Sequence, residues 1–291
     1  SLKVLALDNN ALTGTIPPYL GYLIELKTLR LNNNLLSGDI PPELGNLTEL
    51  EELWLQDNDL SGDLPGDLGN LTSLKTLVVS ANSLDGTLPT QLGKHTELQR
   101  LAIDRNKFEG DFPPALALPW INNLDVGYNM LTAFDQAAIA FLDAKDADWR
   151  ETQTVAPNDL SATFNPTTGI LTFAWTKIPY THNGGYYTIG CDNTEDGNFT
   201  GLQMQTVDKT TSEISFSGLP IATYYCAVNT FTPANVHNSN DLTARFSGPT
   251  TVEVTTQPAP TNDNVNTPLV ISNEPYQLFQ GNFDSATPDG A

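Results

Sequence analysis

Leucines, asparagines and glycines recur along this chain at a fixed interval. Leu2, Leu5, Leu7, Asn10, Leu12, Gly14, Ile16, Pro17, Leu20 and Leu23 recur 24 residues later as Leu26, Leu29, Leu31, Asn34, Leu36, Gly38, Ile40, Pro41, Leu44 and Leu47, and the set repeats from Leu50 to Leu71. A fourth copy starts at Leu74 and a fifth at Leu98; the sixth starts one residue early, at Ile121, and stops after Leu131. One column holds only asparagine: Asn10, Asn34, Asn58, Asn82, Asn106 and Asn129. A fixed period of this size means a solenoid, whose coils bury their leucines against one another. Short Leu-x-Leu segments then stack as parallel strands, one per coil. The chain must turn inside the core, and turning leaves backbone N–H and C=O groups without ladder partners. Asparagine carries two donors and an acceptor on a short side chain, so its column is expected to satisfy them. Gly14, Gly38, Gly62, Gly86 and Gly110 mark a second bend, and the prolines that follow end any ladder there.

These motifs resemble the plant-type leucine-rich repeat subclass. Its hallmark, Leu-x-Gly-x-Ile-Pro, stands here as Leu12-Thr13-Gly14-Thr15-Ile16-Pro17 and Leu36-Ser37-Gly38-Asp39-Ile40-Pro41. The resemblance covers residues 1–134 and implies a curved solenoid that binds ligands on its concave sheet. Plant receptors of this class carry cysteine-paired caps. No Cys precedes Cys191, which points to a bacterial extracellular relative. Ser1-Leu2 opens inside a repeat, so the sequence reads as a fragment or as a chain whose natural cap is absent. At the other end Asp135 can N-cap a helix, and Ala138, Ile139, Phe141 and Leu142 form an apolar stripe at helical spacing. A cap helix is expected from Asp135 to about Ala144, with Trp149 as a lid over the last coil. The capped solenoid is thus expected over residues 1–150.

Residues 151–157 read as a connector and 158–256 as an all-β module. Seven short alternating segments, from 160–164 to 251–254, are separated by turn sequences such as 165–169 and 182–185. The module resembles a fibronectin type III domain through Trp175 in the second strand, Tyr186-Tyr187 opening the third, and the corner Leu219-Pro220-Ile221-Ala222-Thr223-Tyr224. That corner is one residue shorter than the family's usual spacing, which leaves Tyr224 or Tyr225 as the corner tyrosine. Tyr224 would share the inner face with Cys226 and Val228. In this family the third and sixth strands are antiparallel neighbours, which implies a Cys191–Cys226 disulfide; two buried free thiols are the alternative. The bridge would close a loop of roughly 35 residues and add ~3–4 kcal/mol in the chain-entropy model. The fold class expected is therefore a multidomain α+β/all-β chain, a leucine-rich repeat solenoid followed by an immunoglobulin-like β-sandwich. Residues 257–291 read as a Pro/Asn-rich tail or a linker to a further module. Within it, 269–272 and 276–279 could be strands, one of them donated to another subunit.

Composition excludes some partners. The chain has 13 Lys+Arg against 34 Asp+Glu, a net charge of −21, which opposes nucleic-acid binding. No apolar run approaches the ~18–20 residues of a membrane span, so no membrane insertion is expected in this segment. The acidic, Asn/Thr/Asp-rich surface suits an extracellular or cell-surface protein. His95, His182 and His237 have no metal spacing, and His95 takes a leucine position of the fourth repeat. No catalytic residue, metal site or cofactor is indicated. Asp192–Gly197 has a calcium-loop flavour but lacks the terminal Glu and reads as a turn. Asn46, Asn70 and Asn198 each open an N-glycosylation acceptor triplet, the first two inside the repeat's own Gly-Asn-Leu-Thr phrase.

Residues flanking the inward leucines face the concave side. The column Ala6, Arg30, Trp54, Val78, Ala102, Asp125 is followed by Asp8, Asn32, Gln56, Ser80, Asp104, Gly127, then by Asn9, Asn33, Asp57, Ala81, Arg105, Tyr128. An exposed Trp54, with Arg30, Gln56, Asp57, Arg105 and Tyr128, is the ligand-binding candidate. Six strands span ~24 Å and five residues reach ~16 Å. The resulting ~400 Å² is about half of one side of a standard interface. The expected function is binding or adhesion to a protein or glycan, with no enzymatic activity. The alternatives are a structural subunit of a fibre, sheath or surface layer, self-associating through the solenoid end or the tail, and an accessory region of a larger secreted enzyme.

Overall fold

The computed structural model describes residues 1–194, 201–245 and 250–254. The expected tail 257–291, the Asp196-Gly197 turn and the Asn198 acceptor lie outside the described residues. The chain forms two compact units. The first contains Ser1–Val155 together with Pro179–Asn183 and Thr232–Thr243; the second contains Ala156–Ile178, Gly184–Phe231 and the described residues from Ala244. Two short segments late in the sequence therefore belong to the solenoid unit, which the repeat pattern does not foretell.

The first unit is built on a six-stranded parallel sheet made of Val4–Ala6, Thr28–Arg30, Glu52–Trp54, Thr76–Val78, Arg100–Ala102 and Asn123–Asp125, in that order. The register keeps the repeat in phase: Leu5, Leu29, Leu53, Leu77, Leu101 and Leu124 pair in sequence across it. Behind them the leucine columns fuse into one core, with Leu29, Leu53, Leu77 and Leu101 fully buried. The first coil differs, since Leu2, Leu7 and Leu12 are 46%, 40% and 38% exposed.

Each coil turns twice. At the first turn a non-glycine residue sits in the left-handed region, with φ between 53° and 57°: Asn9, Asn33, Asp57, Ala81, Arg105 and Tyr128. Asn and Asp tolerate this conformation, and three coils use them. The residue after each is the ladder asparagine. Asn58 is typical: its Nδ2 donates to Leu55 O at 3.0 Å in its own coil and to Leu31 O at 3.1 Å in the previous one, while its Oδ1 accepts from Leu36 N at 3.0 Å. Asn34, Asn82, Asn106 and Asn129 repeat the pattern. Asn10 is exposed and bonds within its own coil, to Leu7 O at 3.1 Å. At the second turn Gly38, Gly62 and their equivalents take φ values of 68–85°.

The convex side carries short 3-10 turns such as Pro42–Asn46 and Gly66–Asn70. They stack closely at a second glycine column. A Cβ on Gly45 would lie 2.4 Å from Asp67 O, and one on Gly69 2.4 Å from Gln91 O. The cap helix runs Gln136–Lys145, with Asp135 accepting from Ala137 N and Ala138 N at 2.9 Å each. Ala138, Leu142 and Trp149 join the solenoid core, and Trp149 Nε1 donates to Asp143 at 2.9 Å. Gln153 and Thr154, which the sequence places in a connector, are 1% and 0% exposed.

In the second unit, Asn158–Asn165, Ile170–Thr176 and Glu213–Ser217 form one antiparallel sheet. Leu202–Gln205, Tyr186–Asp192, Ala222–Thr232 and Leu242–Arg245 form another, with Thr250–Val254 also paired to Ala222–Thr232. Cys191 and Cys226 are register partners and are joined by a disulfide. Trp175 of the first sheet meets Tyr187 of the second edge-on at 5.2 Å. The Tyr224 hydroxyl donates to Pro220 O at 3.2 Å.

Candidate functional site

The register that aligns the leucines also aligns the side chains on the concave face. Ala6, Arg30, Trp54, Val78, Ala102 and Asp125 stand in one column, as the period demands. Their exposure does not follow the simple expectation. Trp54 is half-buried rather than exposed, and Val78 and Ala102 are 3% and 4% exposed. Trp54 is covered from the column on the other side of the inward leucine, which holds Glu52 and Arg100. The Arg100 guanidinium lies 5.1 Å from the Trp54 ring centroid, so its side chain crosses the fourth coil to reach the third. Arg30 lies 5.7 Å from the same centroid. Glu52 fastens the group, accepting from Arg30 Nη2 at 2.8 Å and Trp54 Nε1 at 3.1 Å through one oxygen. The Arg30 hydrogen bond holds the Glu52 carboxyl below its ordinary range, against partial desolvation.

One residue before these strands runs a second charged row. Glu51 accepts from Lys27 at 2.7 Å and Lys75 at 2.8 Å, and these two hydrogen bonds hold its carboxyl down at about 2. Lys27, Arg30, Lys75 and Arg100 stand here with Glu51 and Glu52, and Glu49 and Glu97 act on Lys27 and Lys75 in turn, so the row is one of matched charges on a protein of net charge −21. Arg100 Nε is buried and has no hydrogen-bond partner among the described residues. A buried donor left unbonded costs about 1–3 kcal/mol, which an incoming acceptor would recover.

The six candidate residues separate into two groups. Arg30 and Trp54 belong to the cation–aromatic cluster. Gln56, one step further along the third coil, is half-buried, and its Oε1 has no partner among the described residues. Asp57 is exposed at the left-handed turn. Arg105 donates from Nε to the buried Asp104 at 2.8 Å, and Ser80 also donates to Asp104. Tyr128 stacks on His237 at 5.0 Å and meets Tyr180 edge-on at 6.1 Å, all within the first unit. The predicted Asn32, Ser80 and Asp104 positions are buried at 8%, 3% and 6% exposure, so that column contributes little open surface. No group of three or more His, Cys, Asp or Glu among the described residues is placed to hold a metal ion. No helix among them is long and apolar enough to cross a membrane.

The family described as Leucine Rich repeats (2 copies) matches residues 24–66, and Leucine Rich Repeat matches residues 1–23. No curated protein matches the chain. Among solved structures, the plant peptide hormone receptor RGFR1 in complex with RGF2 is 34% identical, over 47% of this chain and 22% of that one, with a TM-score of 0.45. PEPR1–AtPEP1 is 32% identical, over 49% and 20%, with a TM-score of 0.47. The BIR3–SERK2 complex from Arabidopsis thaliana is 34% identical, over 44% and 69%, with a TM-score of 0.42. The chain spans about a fifth of the length of the first two. The leucine-rich repeat matches thus fall on residues 1–66, and the same repeat period and bonded asparagine column continue from there through Asn129.

Proposed function

We propose that this chain is an extracellular binding protein whose concave face recognises a protein partner as an extended segment carrying a carboxylate. The observation that carries this reading is Arg100, stacked on Trp54 with its buried Nε unbonded. A carboxylate accepts from guanidinium in a geometry few other groups match. The indole beside it supplies apolar contact area, the combination that dominates interface anchors. The Cys191–Cys226 disulfide supports an oxidising, extracellular setting. In this reading the second unit is a fibronectin type III-like sandwich serving as spacer or second contact. Its two antiparallel sheets, the Trp175–Tyr187 contact and the Tyr224 corner bond support that part.

The test is selection of a random peptide library on the wild-type chain, followed by affinity measurements on the enriched peptides. Acidic or C-terminally anchored peptides should be enriched, and Arg100→Ala and Trp54→Ala should each weaken them about tenfold or more. Enrichment of neutral peptides indifferent to both substitutions contradicts the proposal. Binding confined to a glycan array would assign the face to a glycan instead.

A further inference from the structure

The asparagine rim is finished differently along its length. In the fourth, fifth and sixth coils the backbone carbonyl of each ladder asparagine is bonded. Asn240 Nδ2 donates to Asn82 O at 2.7 Å, Asn238 Nδ2 donates to Asn106 O at 3.0 Å, and Thr154 N donates to Asn129 O at 2.8 Å. Asn238 also reaches Tyr128 O at 2.7 Å. Both donor asparagines are buried, at 3% and 5% exposure, and they brace each other: Asn238 Oδ1 accepts from Asn240 N at 2.9 Å and Asn240 Nδ2 at 2.8 Å. Ser83 completes the seat by donating to Asn240 Oδ1 at 2.8 Å. The segment Thr232–Thr243 thus reads the rim of the solenoid with two amides set two residues apart.

The second and third coils carry the same carbonyls without that cover. Asn34 O and Asn58 O accept no hydrogen bond among the described residues. They lie at a pocket of about 310 Å³, whose wall also includes Asp57, Asp59, Arg105 and His237. Arg105 is engaged with Asp104, so the wall is rich in acceptors: two carbonyls and two exposed carboxylates. An occupant has to bring N–H donors.

We propose that this pocket is a second peptide site, distinct from the Trp54 cluster, that takes a side-chain primary amide, Asn or Gln, from an extended segment. The amide would sit on coils two and three as Asn238 and Asn240 sit on coils four and five. Side chains two apart share one side of an extended chain, which lets a pair of amides address adjacent coils. A primary amide matches the seat in detail, because it donates to the rim carbonyl and can accept from a hydroxyl or N–H at the same time.

The test is a heteronuclear NMR titration of the full chain with the capped tripeptides Asn-Ser-Asn, Leu-Ser-Leu and Lys-Ser-Lys. Asn-Ser-Asn should move the backbone amides of residues 34–35 and 58–60, and bind roughly tenfold tighter than Leu-Ser-Leu. Asp59→Phe, a bulky change at an exposed position on the pocket wall, should remove those shifts while leaving the rest of the spectrum in place. Equal affinity for all three peptides, shifts centred on the Trp54 indole, or no shift at these amides would each overturn the proposal. Tighter binding of Lys-Ser-Lys would also overturn it, by showing that Asp57 and Asp59 select charge and not an amide.

Discussion

The Gln153 side-chain oxygen accepts the Leu131 backbone N–H at 2.9 Å, the role that Asn34, Asn58, Asn82, Asn106 and Asn129 play toward the coil before each. Its Nε2 donates to Val126 O at 2.9 Å, closing the same pair of backbone groups. Gln153 stands 24 residues after Asn129, so the period carries on past the last leucine-rich strand. Replacing Gln153 with Leu leaves the buried Leu131 N–H unbonded, while Val126 O keeps the Asn129 Nδ2 donor at 3.1 Å. The expected loss is ~1–3 kcal/mol, read as a lower denaturant midpoint for the first unit. An unchanged midpoint would mean that the ladder ends at Asn129.

Glycine at position 45 is required by contact, not by backbone angle. The missing Cβ is what lets consecutive 3-10 turns approach, and the group it would strike is the Asp67 backbone carbonyl at 2.4 Å. Backbone cannot swing aside as a side chain can. Gly45→Ala is expected to destabilise by ~1–3 kcal/mol or more through overpacking. Gly14→Ala makes a useful contrast: nothing lies within 4 Å there, and its only penalty is the φ of +85°. Thermal unfolding of the two variants compares the mechanisms directly.

His95 occupies a leucine position and is fully buried. Burial pushes its imidazole down from the ordinary 6.5, with the Leu71 backbone as an opposing influence. The unfolded chain therefore binds a proton that the native state resists. Stability is complete above 6.5 and falls as the pH drops below it. His95→Leu restores the column and should flatten the dependence between that pH and the carboxylate range. A melting temperature that falls equally in both proteins over this interval would assign the effect to other groups.

Asp146 behaves in the opposite sense. Its Oδ2 accepts Val126 N at 2.8 Å. Burial first, then the nearby Asp125 and Asp148, raises its carboxyl from 3.8 to about 6. The native state favours the protonated form, so its contribution is full below 3.8 and is lost as the pH rises through about 6. Asp146→Asn keeps an acceptor for Val126 and removes the charge. It should raise the melting temperature at pH 7–8 and change little near pH 4. A uniform shift at both pH values would show that ionisation is not the cause.

Much of this fold is legible in the sequence because the solenoid is periodic. One set of leucines, asparagines and glycines specifies every coil, and the register of Leu29 against Leu53 follows from the spacing alone. The candidate site was less legible. Both neighbours of an inward leucine face the same side of a strand, so Glu52 and Arg100 belong to the face as much as Trp54 does. Taking only the residue after each leucine hides the two groups that bury the indole. The Thr232–Thr243 segment could not be read at all. Its contacts bridge up to 158 residues of sequence, through asparagines in a loop without periodic signal.

Partner recognition at the Trp54–Arg100 cluster has a direct spectroscopic readout. The Trp54 indole N–H, bonded to Glu52, gives its own resonance, distinct from those of the buried Trp149 and Trp175. Titrating the labelled chain with a peptide selected on the wild type should shift the Trp54 resonance at the dissociation constant found for binding. The Trp149 and Trp175 signals should stay in place, and Arg100→Ala should move the response to about tenfold higher peptide concentration or beyond. A Trp54 resonance that stays fixed while the peptide saturates the protein would contradict the account.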